Sequence, residues 1–259
     1  MTTIDGKWLF IGTDKRLSEC CRIMKESGAE TYHYNGNSYT DELSTVLEEF
    51  APTHIVFPVL QMEGTIPVGK IKEGTILYPG VATQDWINHF VEAGITVKSY
   101  QKEVEYVWEN ARLTAEGFLI EYYSSTKRRI SGEHFYIAGF GKVAKMTAEV
   151  LSSLGASVTI LARSHDQLGE ASAVGYKTIP LTTGDVNLHG NFINTIPAKW
   201  MRTGENAEIR IFDLASAPGC LKDNDPVEYY TIHLGLPGKH FPVDAAKALA
   251  DALLRMNSR

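Results

Sequence analysis

The segment 134–164 restricts the fold of this chain more than any other part of the sequence. A short apolar run, residues 134–138, is followed directly by a glycine-containing turn at 139–144. Apolar residues then recur at helical spacing as far as Gly155, and a second apolar run covers 157–161. A strand, a tight turn, a helix and a second strand in this order predict a βαβ unit, which places both strands in a parallel sheet.

The turn has the pattern G-x-G-x-x-A, a variant of the fingerprint found in dinucleotide-binding Rossmann domains. Gly139 allows the tight turn, Gly141 leaves room for a pyrophosphate beside the backbone, and Ala144 lets the helix approach the sheet. The N–H groups that begin the helix can bind the anion. We therefore predict nucleotide binding here, with a purely structural turn as the alternative.

The residues after the second strand indicate which nucleotide is bound. Sites that prefer NAD usually carry an Asp or Glu at this point, which accepts hydrogen bonds from the ribose hydroxyls. This chain has Ala162, Arg163 and Ser164 instead. A guanidinium beside a hydroxyl suits a 2′-phosphate, so the predicted cofactor is NADP, with NAD as the second choice. Alternatively, Arg163 is an exposed charge at the end of a strand.

Other cofactor contacts are predicted from the position of the strands. Ligands of open parallel sheets bind beyond the carboxyl ends of the strands, and two later strands of this domain end before 195–197 and 214–216. We expect these loops to face the nicotinamide half of a dinucleotide. The predicted cofactor contacts are Gly139, Phe140, Gly141, Lys142, Val143, Arg163, Ser164, Thr195, Ile196, Pro197, Ala215 and Ser216.

Composition restricts the class of protein. The chain has 259 residues, enough for two domains of ordinary size, and 44% of them are hydrophobic. A net charge of −6 without a block of like charges argues against nucleic acid or a membrane surface as a partner. No membrane-spanning run or signal-peptide pattern occurs, so a cytoplasmic protein is expected. The histidines and three cysteines lack metal-site spacing, and no metal is predicted.

Strands and helices alternate along the chain, which predicts an α/β protein with two doubly wound parallel-sheet domains. Residues 1–102 form an N-terminal domain for the substrate, 103–130 a linking helix, 131–238 a Rossmann NAD(P)-binding domain, and 239–259 a C-terminal helix that packs back toward the first domain. Predicted strands cover 8–12, 30–34, 54–59, 75–78, 95–100, 134–138, 157–161, 176–179, 192–195, 209–213 and 230–233. Predicted helices include 17–27, 39–50, 84–92, 103–126 and 242–256.

Seven short segments occur along the chain in a recognisable order. They are GTDKR (12–16), NARLTAEG (110–117), GFG (139–141), ARS (162–164), NTIP (194–197), DLASAPG (213–219) and GLPGK (235–239). Together they resemble the A subunit of dipicolinate synthase of spore-forming bacteria, in which the first segment reads G-G-D-x-R. This chain departs from the family pattern at 142–144, where Arg-Thr-Gly is usual, and at Cys220, where a second glycine is usual.

The resemblance implies an activity and partners. Such proteins carry out the NAD(P)-dependent oxidation of dihydrodipicolinate, a branch-point compound of lysine biosynthesis, to pyridine-2,6-dicarboxylate (dipicolinate). They act during sporulation in the mother cell, together with the flavoprotein-like B subunit of dipicolinate synthase. A homodimer is a further possibility by analogy with two-domain dehydrogenases.

The implied substrate carries two carboxylates, so the site needs a group that holds them. Arg16, which follows the first strand, is the first candidate, because a planar guanidinium can contact a carboxylate at two points. A salt bridge at the start of a helix is the alternative. Asp14, in the same loop, and Pro237 and Gly238, in a turn-rich segment between the last strand and the last helix, are further predicted substrate contacts.

Aromatisation of the substrate ring also requires a group that accepts a proton. Glu116, in the linking helix with Thr114, could be this general base if burial raised its pKa toward neutrality; a structural carboxylate is the alternative. Lys239 could contact a substrate carboxylate or donate a proton. Two other functions stay open, namely another two-domain dehydrogenase of the 2-hydroxyacid or alanine type, and a nucleotide-binding subunit without turnover of its own.

Overall fold

The structure, a computed structural model, describes residues 4–181, 185–186, 189–203, 209–216, 218–222 and 229–258. The chain divides into two units. The first consists of Met1–Asn110 and Pro237–Arg259, and the second of Ala111–Leu236. In the described part of the chain, no helix combines the length and the apolar character that crossing a bilayer requires.

The first unit is built on a parallel sheet of five strands in the order β2-β1-β3-β4-β5. The reversal of strand order beside β1 is typical of doubly wound sheets. The strands are β1 (Lys7–Ile11), β2 (Glu30–Tyr34), β3 (His54–Val56), β4 (Ile76–Tyr78) and β5 (Thr96–Val97), and the helices between them are α1 (Lys15–Glu26), α2 (Asp41–Phe50) and α3 (Gln84–Val91).

β1 supplies apolar side chains to both faces of this sheet. Trp8 and Phe10 lie in one core, with residues of α1 and of the C-terminal helix α8 (Pro242–Asn257), whereas Leu9 and Ile11 lie in another, with residues of α2 and α3. All four side chains are fully buried. A continuous apolar run of this kind is what a central parallel strand requires, because helices cover both of its faces.

The C-terminal helix is attached to the first unit by polar contacts as well as by its apolar face. The imidazole Nε2 of His54 lies 3.0 Å from Asn257 Oδ1, and Lys98 Nζ donates to the Met256 carbonyl at 2.7 Å. Arg255 donates two hydrogen bonds to the carboxylate of Glu103, at 3.0 and 3.1 Å. α8 is therefore an integral element of this unit.

The second unit contains a parallel sheet of six strands in the order β13-β12-β10-β6-β7-β8. Its strand order reverses between β6 and β10, which makes the carboxyl ends of these two strands the expected ligand position. Its strands are β6 (His134–Ala138), β7 (Ser157–Ala162), β8 (Lys177–Pro180), β10 (Gly190–Asn194), β12 (Ile209–Asp213) and β13 (Tyr230–Ile232), and the two-residue strands β9 (Asp185–Val186) and β11 (Arg202–Thr203) pair separately.

Helices cover this second sheet as well. α5 (Lys142–Ser153) follows β6, α6 (His165–Ala173) follows β7, and α4 (Val104–Thr126) contributes Phe118 and Tyr122 to the core beneath β6. The residues of α4 up to Asn110 belong to the first unit and the remainder to the second. The predicted class, two doubly wound parallel-sheet α/β domains, is confirmed.

The structure corrects three details of the predicted elements. The third strand ends at Val56 and not at residue 59, because Pro58 has no N–H to continue the ladder. The segment between β13 and α8, which was interpreted as turn-rich, contains a short helix, α7 (Leu236–His240), and Pro237 suits the first turn of this helix. α6 was not predicted, although Ser164 caps its start.

Candidate active site

The turn between β6 and α5 can accept only a glycine at its first position. Gly139 has φ of +91°, in the left-handed region, and its N–H donates to the Leu161 carbonyl at 2.7 Å. A Cβ atom at this position would lie 2.7 Å from Thr195 Oγ1 and 3.3 Å from Ile196 Cγ1. Gly139 therefore allows the loop after β10 to pack directly against the turn.

Gly141 differs, because its own backbone would tolerate a side chain. It is the N-cap of α5 with φ of −79°, and no side chain caps the helix there. A Cβ built on Gly141 would meet no heavy atom of the described residues within 4 Å. The first turn of α5 also contains no acidic residue. The protein thus leaves open space beside the N–H groups of a helix start, which is a position that favours an anion.

The other turn residues divide between the core and the surface. The Phe140 ring is buried in the core under β6, 6.0 Å from the Tyr176 ring, and Lys145 Nζ lies 5.3 Å from its centroid. Lys142 is exposed and Val143 is half-buried. Phe140 could therefore contact a cofactor only through its backbone, whereas the Lys142 side chain has access to solvent.

The loop after β7 places a cation and a hydroxyl at the edge of the sheet. Arg163 and Ser164 are both exposed. Ser164 is the N-cap of α6, and its Oγ accepts a hydrogen bond from the Gln167 N–H at 3.5 Å. The Ser164 oxygen is thus used by the helix, while the Arg163 guanidinium has access to solvent for an anionic ligand.

The loops after β10 and β12 begin beside a pair of buried polar residues. Asn194 and Asp213 are both fully buried, and Asn194 Nδ2 donates to Asp213 Oδ1 at 2.8 Å. Neither residue was among the predicted site residues. The available signal was a polar side chain directly after two apolar residues at the end of two strands, which become neighbours in the parallel sheet.

The five predicted cofactor contacts in these two loops differ in exposure. Thr195 Oγ1 donates to the Ala138 carbonyl at 2.7 Å, so this hydroxyl fastens the loop to β6. Ile196 is half-buried, Pro197 and Ser216 are exposed, and Ala215 is buried. Thr195 and Ile196 lie against Gly139. The Ala215 N–H donates to Asp213, which in turn accepts a hydrogen bond from Asn194 at the start of the other loop.

In the first unit, Arg16 has an internal set of partners. Its side chain is only 2% exposed, and Nε donates to Asp14 Oδ1 at 3.0 Å. Nη1 donates to Asn110 Oδ1 at 3.1 Å and to the Tyr106 hydroxyl at 3.5 Å. Burial by itself would lower the pKa of Arg16, but Tyr106 and Asp14 outweigh this effect and raise it. The salt bridge at a helix start, which was the alternative interpretation of Arg16, is present.

Asp14 is the centre of this arrangement. Its carboxylate also caps α1, accepting a hydrogen bond from the Arg16 N–H at 2.9 Å. Gly238 packs so closely on the Asp14 carboxylate that a Cβ there would overlap it. Pro237 and Gly238 are buried, and Lys239 is exposed. Three of the predicted substrate residues, Asp14, Arg16 and Gly238, are therefore in one place.

Two of the three residues predicted for catalysis, Thr114 and Glu116, belong to α4, and the third, Lys239, belongs to α7. Glu116 is exposed and Thr114 is 8% exposed. The hypothesis of a general base required burial of Glu116, because desolvation is what raises the pKa of a carboxyl group. That condition is not met in the structure. Thr114 and Glu116 belong to the second unit, as do the predicted cofactor contacts, and the predicted substrate contacts and Lys239 belong to the first.

Comparison with known proteins confirms the resemblance found in the sequence. The chain is 28% identical over 282 residues to the A subunit of dipicolinate synthase of Bacillus subtilis (strain 168), in an alignment that covers 95% of this chain and 94% of that relative. No protein-family model matches the chain.

Solved structures share the fold. The A chain of dipicolinate synthase from Bacillus subtilis has a TM-score of 0.75 at 21% identity, covering 99% of this chain and 97% of that one. The A subunit of dipicolinate synthase from Bacillus halodurans has a TM-score of 0.71 at 21% identity, covering 98% of each chain. A transhydrogenase from Sinorhizobium meliloti has a TM-score of 0.61 at 13% identity, covering 96% of this chain and 92% of that one.

Proposed function

We propose that this chain is an NAD(P)-dependent oxidoreductase that converts dihydrodipicolinate into dipicolinate, as the A subunit of a dipicolinate synthase. The observation that carries the proposal is the turn at 139–144, where Gly139 is sterically required and the space beside Gly141 is open. The similarity to the Bacillus subtilis protein along nearly the whole chain supports the choice of substrate.

The residues of the turn fit a dinucleotide. Gly141 leaves the space for the pyrophosphate, the first N–H groups of α5 bind it, and Lys142 is exposed beside it. A bound nicotinamide cofactor would supply the acceptor for the hydride that the oxidation removes from the substrate. Thr195, Ile196, Pro197, Ala215 and Ser216 then hold the nicotinamide half and exclude water from it.

The substrate carboxylates need positive charge. Lys239 is exposed in α7, next to the buried pair Pro237 and Gly238, and we assign it the role of a carboxylate ligand. Arg16 stabilises the same region from the protein interior, because its hydrogen-bond partner Asp14 packs against Gly238. The flavoprotein-like B subunit as a partner, and a role in the mother cell during sporulation, follow from the proposed identity.

The structure also favours a second candidate function. Glu116, the candidate proton acceptor, is exposed, so the burial on which that hypothesis depended is absent. A chain that binds the nucleotide and the substrate but completes its chemistry only with a second protein would not need such a base. In that case the chain is the nucleotide-binding half of a shared enzyme.

The test of the proposed function is dipicolinate formation from freshly generated dihydrodipicolinate. The assay is run with NADP and with NAD, for the chain alone and with a flavoprotein-like second subunit. Product from the chain alone would assign the redox chemistry to it, and product only with both would support the shared enzyme. Absence of product in every arm, with turnover of a 2-hydroxy or 2-amino acid, would instead identify another two-domain dehydrogenase.

The choice of NADP is tested by Arg163→Asp. We expect NADP to bind about 100-fold more weakly, because a charge-assisted hydrogen bond of about 2–3 kcal/mol is replaced by repulsion from the 2′-phosphate. NAD should keep its affinity within about threefold. Binding of both nucleotides is measured by calorimetry, with Arg129→Asp, an exposed arginine of the same unit, as the matched control. Equal losses for the two nucleotides would contradict the assignment of Arg163.

A further inference from the structure

We propose that Asp213 and Asn194 are positioning residues that fix the two loops on the nicotinamide side of the site. Asp213 holds the backbone conformation at the start of the loop at 214–216, and Asn194 holds that of the loop at 195–197. The inference rests on the proposed nucleotide binding, and it concerns how the site is held in shape for the nicotinamide half of the cofactor.

Every acceptor position of the Asp213 carboxylate is used by the protein. Oδ1 accepts hydrogen bonds from Asn194 Nδ2 at 2.8 Å and from the Ala215 N–H at 3.1 Å. Oδ2 accepts from the Cys220 N–H at 2.7 Å and from the Tyr230 hydroxyl at 2.9 Å. A carboxylate offers about four lone-pair sites, and four donors occupy them.

This coordination explains how a fully buried carboxylate is tolerated and what it does. An unpaired charge in the interior would be strongly unfavourable, and four donors offset that cost. Because its acceptor capacity is filled by protein groups, Asp213 does not act as a direct ligand. It acts through the Ala215 backbone, which it holds, and through Asn194.

Asn194 extends the same network to the other loop. Its Nδ2 donates to the Ile196 carbonyl at 3.0 Å, and its Oδ1 accepts from the Ile196 N–H at 3.1 Å. Trp200 Nε1 donates to the same Oδ1 at 3.2 Å. Both backbone polar groups of Ile196 are thus held by one side chain. Ile196 in turn lies against Gly139, where the fingerprint turn begins.

Cys220 and Tyr230 complete the network as donors. Burial raises the pKa of the Cys220 thiol, and the Asp213 carboxylate raises it further. Burial and the hydrogen bond to Asp213 likewise raise the pKa of Tyr230. Both groups therefore stay protonated at neutral pH, so that the Tyr230 hydroxyl remains a donor and the thiol remains unreactive. We assign Cys220 a structural role in holding the loop.

The test compares binding of the whole dinucleotides with binding of a fragment that lacks the nicotinamide half. We expect Asp213→Asn to lower the affinity for NADP and NAD by at least tenfold, because an amide places N–H groups against two of the existing donors. The same variant should bind adenosine 2′,5′-bisphosphate, which lacks the nicotinamide half, within twofold of the wild type. Equal losses for the dinucleotides and for the fragment, or no loss for either, would overturn the inference.

A gentler variant keeps the test valid if Asp213→Asn does not fold. Tyr230→Phe removes one donor and keeps the shape of the side chain. It should lower the affinity for the dinucleotides two- to fivefold and leave the affinity for the fragment unchanged. Tyr136→Phe, in β6 of the same unit, is the matched control and should change neither. A wild-type chain that binds neither dinucleotide nor fragment would refute the proposed function and this inference together, whereas normal wild-type binding with unselective losses in the variants would refute this inference alone.

Discussion

Replacement of Gly141 by Asp is expected to weaken NAD and NADP binding by on the order of 100-fold or more, with little change in thermal stability. A carboxylate at this N-cap would occupy the space proposed for the pyrophosphate and repel it. The same carboxylate suits the folded protein, because φ at Gly141 is −79° and Asp is a good N-cap residue. Binding is measured by calorimetry and unfolding by circular dichroism.

The control for Gly141→Asp carries the same charge to another helix start. Thr40→Asp alters the N-cap of α2 in the first unit and should leave nucleotide affinity unchanged. Gly139→Ala is the contrasting variant, since φ of +91° and contact with Thr195 make the fold itself intolerant of a side chain. Retention of full nucleotide affinity by Gly141→Asp would remove the main support for a dinucleotide site at this turn.

The local elements were predictable because their signals are local. The limits of β6 and β12 follow from apolar runs bounded by glycine, by a polar residue or by charge, and the helix after the fingerprint turn follows from apolar spacing. Predicted strand ends were less accurate where a proline or a short edge strand intervened, as in β3 and β5. The doubly wound class follows from the alternation of strands and helices alone.

The side-chain networks of the site were not predictable from spacing. Asn194 and Asp213 are 19 positions apart in the chain, and only the adjacency of β10 and β12 joins them. The partners of Arg16 on α4 lie 90 and 94 positions away. Sequence reasoning could place Arg16 after a strand end, but whether its guanidinium faces a ligand or the interior depends on these distant residues.

The main effect of replacing Arg16 is expected to be a loss of stability of the first unit. Its guanidinium joins the start of α1 to Tyr106 and Asn110 of α4, and it is 2% exposed. Arg16→Ala would remove the guanidinium that donates to both the Tyr106 hydroxyl and the Asp14 carboxylate. We expect the free energy of unfolding to fall by about 3 kcal/mol, near the lower end of the effect of breaking a buried ion pair, because the Asp14 side chain is 26% exposed.

Urea unfolding of Arg16→Ala, followed by circular dichroism, measures this effect, with two comparisons. Lys15→Ala, an exposed neighbour on the same helix, should change the free energy of unfolding by less than about 0.5 kcal/mol. Arg16→Lys should be intermediate, since an ammonium keeps the charge but cannot reproduce the forked contacts with Asp14 and Asn110. Unchanged stability of Arg16→Ala, combined with a raised KM for the substrate, would instead make Arg16 a direct carboxylate clamp, because a residue that contacts the substrate without supporting the fold affects binding alone.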